Sequence, residues 1–284
     1  MKTTQQLRSE AGFGHVFLVL LILVMLGVVG YAGYYVFGKN SEFKNAITVN
    51  RSNKSNKTSQ ASWAFDGSAW KAAATPPTCP DPLLSQSPVD ISQATAILYP
   101  GQTRNQYKPH GGFLFGNNTD NDVDVSLAMD ATAVDGVRYL ENGTEQYLFD
   151  FINDCGIMLR YDHLLTLSDA FQQLADGLPE AKANQSQTTN FSTPKPFKAG
   201  DSIASAVGFP DPALNVSMDF GVYDLRKPNE ASKNAAYASA HADVKSQAYY
   251  GICWLNDLPA ADKTAALALP GGDAKAGKTS DYCK

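Results

Sequence analysis

The longest apolar segment lies near the N-terminus, where Phe13 to Gly38 contains no Asp, Glu, Lys or Arg. A bilayer core requires about 20 apolar residues in a helix, and this segment exceeds the apolar core of about 7–15 residues of a cleaved signal peptide. Three tyrosines near its C-terminal end are typical of a membrane interface. The pattern therefore predicts a cytoplasmic N-terminus over residues 1–12 and one transmembrane helix over residues 13–38.

The next segment, residues 39–78, is mostly small and polar. It has too little apolar surface to form a core by itself, so it is expected to be a polar stalk. Trp63, Phe65 and Trp70 interrupt it. These aromatic residues either dock on the following domain or lie near the bilayer, and docking is the favoured interpretation.

From Cys79 onward the chain contains short runs rich in Val, Tyr, Phe and Ile, which are separated by turn residues. Typical runs are VDVSLAM, GVRYL, EQYLFDFI, GIMLRYDHL, SIASAVGF and VSMDFGVYDL. Asp135-Gly136 and Asn142-Gly143 are two-residue turn signals between such runs. The pattern predicts a mainly β, antiparallel domain over residues 79–284.

Two short helices are expected as insertions in this domain. LSDAFQQLADGL begins with Ser168 as a candidate N-cap and has apolar residues at helical spacing, and DLPAADKTAALAL is the second candidate. EAKANQSQTTNFSTPKP is predicted to be a polar loop.

Charge excludes one class of partner and leaves the orientation open. The formal net charge is −5, and no basic cluster of the kind that binds nucleic acid is present. Positive residues lie on both sides of the predicted helix, so the positive-inside rule does not decide the orientation.

The four cysteines favour export of the C-terminal domain. Cys79, Cys155, Cys253 and Cys283 all follow the predicted helix at wide spacing, which suits disulfides in an oxidising compartment, although four buried thiols are the alternative. The segment between Cys253 and Cys283 is rich in Ala, Gly and Lys and has little core of its own. We expect a disulfide to close it, which leaves Cys79 and Cys155 as the second pair.

The order of several segments resembles the lysostaphin-like, or LytM-type, zinc endopeptidases that cut peptidoglycan cross-links. HGGFLF is followed by VDVSLAMDATAVDGVRYL, GIMLRYDHLLTLS, FKAGDSIASAVGF and NVSMDFGVYDLR, over about residues 107–226. In that family a histidine-glycine loop opens the core, a Y.HL strand and a glycine hairpin follow, and a final strand carries HLHF. Long inserts at residues 138–152 and 169–196 depart from the family pattern.

The resemblance assigns a role to each position of a zinc site. The family's zinc is held by the loop histidine, by an aspartate four residues later and by the second histidine of the final strand. His110 matches the first ligand, but Leu114 stands at the aspartate position. HLHF aligns with SMDF, so Asp219 stands at the third ligand position and Ser217 replaces a histidine that transfers protons. His163 matches a non-ligand histidine of the family.

A catalytic zinc needs three protein ligands and one open position for water. With Leu114 and Ser217 in place, His110 and Asp219 are expected to be vestigial metal ligands and His163 a vestigial catalytic residue, with no cofactor bound. Zinc is the alternative cofactor, drawing a third ligand from the acidic loop NNTDNDVD. That loop lacks the Gly and Glu that end an EF-hand site.

Each of these residues also has a structural interpretation. KPHGGFLF fits a tight turn in which two glycines supply positive φ angles, so replacing both with alanine is expected to destabilise the fold while His110→Ala costs little. His163 fits a packed, hydrogen-bonded histidine. Asp219 fits an ion pair with Arg160 or Arg226.

A second, fainter resemblance concerns the N-terminal segment. AGFGHVFLVLLILVMLGVVGYAGYYV is similar to the start of type IV pilin-like proteins, in which a short leader ends at Gly-Phe. The glutamate that these proteins carry early in the helix is absent, and Phe17 stands there.

Together, these features predict a single-pass membrane protein with a LytM-like domain outside the cytoplasm. The expected function is that of a non-catalytic binding or regulatory module of the cell envelope, with peptidoglycan or an envelope enzyme as partner. The alternatives are an active zinc endopeptidase with altered ligands and a pilus-like structural subunit.

Overall fold

The computed structural model describes residues 62–116, 121–211 and 216–284. The predicted cytoplasmic N-terminus, the transmembrane helix over residues 13–38 and the stalk up to residue 61 lie outside the described residues. In the part of the chain that is described, no helix combines the length and the apolar character needed to cross a bilayer.

The described residues form a mainly β unit with short helices, as the pattern predicts. The strands are β1 (Trp63–Phe65), β2 (Trp70–Ala72), β3 (Ala96–Leu98), β4 (Gln102–Arg104), β5 (Gln106–Lys108), β6 (Gly111–Leu114), β7 (Asp122–Ser126), β8 (Ala131–Glu141), β9 (Thr144–Ile152), β10 (Ile157–Leu167), β11 (Lys182–Ala183), β12 (Thr189–Phe197), β13 (Ser202–Val207) and β14 (Ser217–Asp224). The α-helices are α1 (Asp169–Ala175), α2 (Ala235–Ala240), α3 (Lys245–Ala248) and α4 (Ala260–Ala268).

One large sheet carries most of the structure. Its strand order is β11-β8-β9-β10-β14-β6-β3, with β12 also paired to β8, and with β13 bridging β10 and β7. Apart from β11 with β8, the strand pairs of this sheet are antiparallel. The hydrophobic core contains a group of fully buried aromatic side chains: Phe113, Phe149, Phe151, Tyr161, Phe171, Phe220 and Trp254.

The burial patterns of β7 and β14 match their positions in this sheet. Edge strand β7, DVDVS, buries Val123 and Val125 while its two aspartates are exposed, which is the alternation expected of a half-buried strand. All eight residues of β14 are buried, because it lies between β10 and β6 in the middle of the sheet. The buried positions of β14 include Asp219, which therefore needs polar partners inside the protein.

The turn predictions are half correct. Asn142-Gly143 forms the tight turn between β8 and β9, with φ angles of 48° and 81°. Asp135-Gly136 is not a turn, because β8 continues through it. The register between β8 and β9 shifts next to Asp135. The predicted polar loop at residues 180–196 is also wrong in part, because β12 begins at Thr189 and pairs with β8.

The aromatic residues of the predicted stalk dock on the domain. Trp63 and Trp70 lie in the β1–β2 hairpin, and their indole nitrogens donate to the carbonyl oxygens of Asp154 at 3.3 Å and Ser246 at 2.8 Å. The folded unit therefore begins before Cys79, inside the segment that the sequence assigns to the stalk.

Both predicted disulfides are present. Cys79 is bonded to Cys155 and Cys253 to Cys283, and they span 76 and 30 positions of the chain respectively. By the chain-entropy treatment, a loop of the smaller size stabilises the folded state by about 3–4 kcal/mol.

A buried carboxylate cluster lies where the sequence predicts the Asp135-Gly136 turn. Arg160 forms a two-bond ion pair with Asp150, at 2.8 and 2.5 Å, and Asp135 is the register partner of Asp150. Burial raises the pKa of Asp135 well above its usual range, and the negative charge of Asp150 raises it further. Asp135 therefore resists ionisation in the folded protein.

We expect Asp135→Asn to be more stable than the native protein at neutral and alkaline pH, where the native protein is destabilised by Asp135. A folded-state pKa that is raised makes the protein lose stability as the pH rises above the unfolded value of about 3.9, and asparagine does not titrate. Urea unfolding at pH 4, 6 and 8 should show similar stabilities at pH 4 and a more stable variant at pH 8. Parallel stability curves for the two proteins would contradict this expectation.

Candidate functional site

Three adjacent strands bring the sequence-predicted site residues together. His110 directly precedes β6, Asp219 lies in β14, and His163 lies in β10. Because β14 pairs with both neighbours, Asp219 is opposite Gly112 on one side and opposite Asp162 on the other. Residues that are far apart in sequence therefore meet at one place in the sheet.

The two histidines approach the same carboxylate oxygen. His110 Nε2 lies 2.9 Å and His163 Nε2 lies 3.7 Å from Asp219 Oδ2. His110 and Asp219 are only 8% and 6% exposed. The His110 contact is close but poorly aligned for a hydrogen bond, and His110 Nδ1 has no hydrogen-bond partner among the described residues. We call His110, His163, Asp219 and Asp162 the polar centre.

The opposite side of the His163 ring is held by neighbouring strands. Gln146 Nε2 donates to the carbonyl oxygen of Gly208 at 2.6 Å, which turns its Oε1 toward His163 Nδ1 at 2.7 Å. His163 Nδ1 therefore carries a proton and donates to Gln146. Glu141 Oε2 lies 3.4 Å from the same nitrogen, and Glu141 forms the more exposed side of this arrangement.

The backbone at His163 is unusual. Its φ is 63°, in the left-handed region that non-glycine residues seldom adopt, and it lies at an irregularity in the pairing of β10 with β9. The backbone N–H of His163 and the hydroxyl of Tyr139 both donate to Asp162 Oδ1 at 2.7 Å. These bonds hold His163 in the strained conformation that turns its ring toward Asp219.

Arg104, which sequence reasoning missed, supplies a positive charge to the polar centre. Its Nη1 lies 4.0 Å from Asp219 Oδ1, and its Nη2 donates to the carbonyl oxygen of His110 at 3.0 Å. Burial lowers the pKa of Arg104, and the negative charges of Asp219 and Asp273 oppose this effect. No sequence motif marks Arg104; only the folding of the β4–β5 hairpin brings it here.

The charge of Asp219 is strongly favoured in this environment. Burial by itself would raise its pKa, but contacts with His110 and His163 lower it well below the usual range. Asp219 is therefore ionised, and the cationic side chains of Arg104 and His163 balance its negative charge.

Leu114 and Ser217 stand where the resemblance expects a metal-binding aspartate and a proton-transfer histidine. Leu114 and Ser217 are opposite each other in the register of β6 and β14, two residues from the Gly112–Asp219 pair. The side chain of Leu114 packs at Gly272. Within the described residues, no group of three or more His, Cys, Asp or Glu side chains is arranged to hold a metal ion. With the guanidinium of Arg104 beside Asp219, these residues do not fit the zinc site that the resemblance implies.

The alternative ion pairs of Asp219 do not form. Arg160 is paired with Asp150, and Arg226 donates to Asp224 Oδ1 at 2.7 Å. Most of the acidic loop NNTDNDVD lies outside the described residues or points to solvent on β7.

The two glycines beside His110 are needed for close approach. The φ of Gly112 is 159°, a positive value that L side chains rarely adopt, whereas Gly111 has no positive φ. A methyl group at Gly111 would overlap the carbonyl oxygen of Leu98, and one at Gly112 would overlap that of Met218. The expectation of a turn is wrong because both glycines lie in β6, and the expected positive φ is found at Gly112 alone. The tight packing of β6 between β3 and β14 explains why both positions need glycine.

No family model matches the chain, and neither a curated protein nor a solved structure matches it.

The titration of His163 gives a testable pH dependence. Burial alone would lower its pKa, but the negative charges of Asp162, Asp219 and Glu141 raise it to about 9. This raised pKa contributes stability that is fully present below the unfolded value of about 6.5 and is lost as the pH rises to about 9.

We therefore expect the free energy of unfolding of the native protein to fall between pH 6.5 and 9, and this fall to be smaller in His163→Gln. Urea unfolding at pH 6, 7.5 and 9 measures the effect, and His241→Gln is the control because His241 stacks on Tyr107, outside the polar centre. An unchanged slope in His163→Gln would show that another group causes the pH dependence.

Proposed function

We propose that this chain is a membrane-anchored protein of the cell envelope. In this proposal the described unit is a LytM-type domain without peptidase activity, which binds peptidoglycan or regulates an envelope enzyme. The order of the sequence segments supports the family, and the apolar segment at residues 13–38 supports the membrane anchor. Two disulfides support placement of the domain in an oxidising compartment.

One observation carries the non-catalytic part of the proposal: a protein cation lies beside Asp219, the residue that the resemblance aligns with a zinc ligand. Arg104 Nη1 is 4.0 Å from Asp219 Oδ1, and both side chains are about nine-tenths buried. A divalent ion bound by Asp219 would be repelled by this guanidinium in a medium of low dielectric constant. Leu114 offers no oxygen to compensate for the repulsion.

Loss of the proton-transfer residue points in the same direction. Ser217 stands where the family has a histidine, and a serine hydroxyl does not exchange protons near neutral pH as an imidazole does. His163 is the remaining imidazole beside His110, and its raised pKa keeps it protonated at neutral pH. It is thus a poor general base but a good donor and positive charge for a ligand.

Access to the polar centre lies on the side of Glu141 and His163. Their side chains are 38% and 22% exposed, whereas Asp219 and His110 are almost fully covered. A ligand from solvent would therefore meet one carboxylate and one imidazolium, which suits a polar ligand with both donors and acceptors, such as a peptidoglycan stem peptide.

Co-sedimentation of the full chain, in detergent, with purified peptidoglycan tests this function. We expect the native protein to sediment with the peptidoglycan and to release no soluble fragments, with or without added zinc. Glu141→Lys should reduce the bound fraction at least about fivefold because it reverses the charge at the opening. Glu230→Lys, at an exposed position in the segment after β14, is the matched control.

The competing function is a zinc endopeptidase with altered ligands. Its specific support is that His163 Nε2 and His110 Nε2 both approach Asp219 Oδ2, at 3.7 and 2.9 Å, so that a shift of the rings would give three donors. Zinc-dependent release of peptidoglycan fragments that is lost in His110→Ala would favour this function over the binding module. Absence of both sedimentation and release would contradict a peptidoglycan ligand altogether.

A further inference from the structure

The segment after α4 forms a strap along the edge of the large sheet. We define the strap as residues 269–283. The N–H of Ile97 donates to the carbonyl oxygen of Pro270 at 3.0 Å, and the N–H of Gly272 donates to that of Ile97 at 2.8 Å. Gly271 thereby bridges Ile97 in parallel orientation and covers the free edge of β3.

The strap also covers apolar side chains next to the polar centre. A methyl group at Gly272 would overlap the side chain of Leu114 and crowd that of Leu98, so the glycine is needed for close contact. Burial lowers the pKa of Arg104, and the negative charges of Asp219 and of Asp273 in the strap oppose this effect. Release of the strap would therefore alter both the packing and the charge at the polar centre.

Polar contacts hold the middle of the strap. Gln102 Nε2 donates to the carbonyl oxygens of Gly277 at 3.0 Å and Thr279 at 2.6 Å. The N–H of Asp281 donates to the carbonyl oxygen of Gly101 at 3.0 Å. Most strap side chains are small or charged and exposed or half-buried, so the strap itself buries little apolar surface. Hydrogen bonds of this kind contribute about 0.5–1.5 kcal/mol each.

The far end of the strap is fixed to the core by Tyr282 and by the disulfide. The Tyr282 hydroxyl lies 3.1 Å from that of Tyr107 and 3.0 Å from that of Tyr237. Cys253 is buried and precedes Trp254, which is completely buried in the main core. The Cys253 end of the disulfide is thus a rigid anchor, and the Cys283 end follows Tyr282, whose ring packs against the core.

We propose that the Cys253–Cys283 disulfide is a redox latch that keeps the strap on the edge of β3. A protein dithiol reduces it: the S–S bond breaks, two electrons and two protons from the dithiol produce thiols at Cys253 and Cys283, and the dithiol closes to its own disulfide. The released strap then exposes the backbone of Ile97 together with Leu98 and Leu114. The latch depends on the strap contacts alone and holds whether or not the domain binds peptidoglycan.

Hydrogen exchange of the oxidised full chain, followed by mass spectrometry, tests the latch. We compare it with the double variant Cys253→Ser/Cys283→Ser and with the native chain reduced by dithiothreitol. Removing closure of a loop of this size should speed exchange in the peptide that contains Ile97 about 100-fold. Exchange in peptides from β9 and β10, away from the strap, should stay unchanged.

Two further readings distinguish the latch from general destabilisation. Tyr282→Phe keeps the disulfide, so exchange at Ile97 should change far less than in the double variant. Equal acceleration in β9, β10 and β3 would mean that the disulfide stabilises the whole unit, and it would overturn the proposal. Unchanged exchange at Ile97 in both the double variant and the reduced chain would also overturn it.

Discussion

Replacing both Gly111 and Gly112 with alanine is expected to lower the free energy of unfolding by about 4 kcal/mol or more, or to prevent folding. Each added methyl group would overlap a backbone carbonyl oxygen of a neighbouring strand, at Leu98 for the first glycine and at Met218 for the second. Backbone atoms of paired strands cannot move aside without breaking the hydrogen bonds of β3, β6 and β14. Urea unfolding followed by circular dichroism measures the loss.

A matched control is Gly177→Ala at the end of α1, where a methyl group would make only ordinary van der Waals contact with the carbonyl oxygen of Leu174. We expect a change within about 1 kcal/mol there. His110→Ala should cost about 1–3 kcal/mol, more than the sequence alone suggests, since it removes a buried partner of Asp219. A double-alanine variant as stable as Gly177→Ala would contradict the close packing of β6.

Asp219→Ala is expected to destabilise the protein by about 3–5 kcal/mol, the usual cost of removing one partner of a buried ionic group. The variant leaves the guanidinium of Arg104 and the ring of His163 buried without the carboxylate that they face. The pKa of His163 should also fall, because Asp219 is one of the groups that raise it. Chemical denaturation at pH 7 and an NMR titration of the histidine measure the two effects.

Asp130→Ala provides the control for a carboxylate in an exposed ion pair. Asp130 and Lys198 are 2.6 Å apart, and their side chains are 60% and 77% exposed. Exposed pairs contribute about 0–1 kcal/mol, so this variant should stay close to the native protein. Similar losses for Asp219→Ala and Asp130→Ala would mean that the charges of the polar centre are solvated.

The sequence predicts the strands and the meeting of the site residues better than the details of their contacts. Alternation in β7 and the apolar runs of β9, β10 and β14 follow directly from burial in a sheet, and Asn142-Gly143 specifies a turn through its backbone preferences. Asp135-Gly136 carries the same turn signal, yet tertiary pairing with β9 and β12 keeps β8 extended there. Local preference yields to long-range pairing at this point.

The role of Arg104 could not be predicted from the sequence. Arg104 contacts Asp219 only because the short β4–β5 hairpin folds back before β6, and nothing in the spacing of the two residues indicates it. The reason for the glycines was also missed, because steric overlap with Leu98 and Met218 depends on strands that are distant in sequence. Both features depend on three-dimensional proximity, which periodicity does not encode.

Zinc content after metal loading tests most directly the proposal that the polar centre holds no catalytic zinc. The full chain, in detergent, is incubated with zinc, dialysed and analysed for bound metal, with isothermal titration calorimetry of the native protein and of His110→Ala. Because Leu114 gives no ligand and Arg104 lies beside Asp219, we expect far less than one zinc per chain and no heat signal that depends on His110. One zinc per chain bound at micromolar or better affinity, and lost in His110→Ala, would contradict this expectation and establish a metal centre.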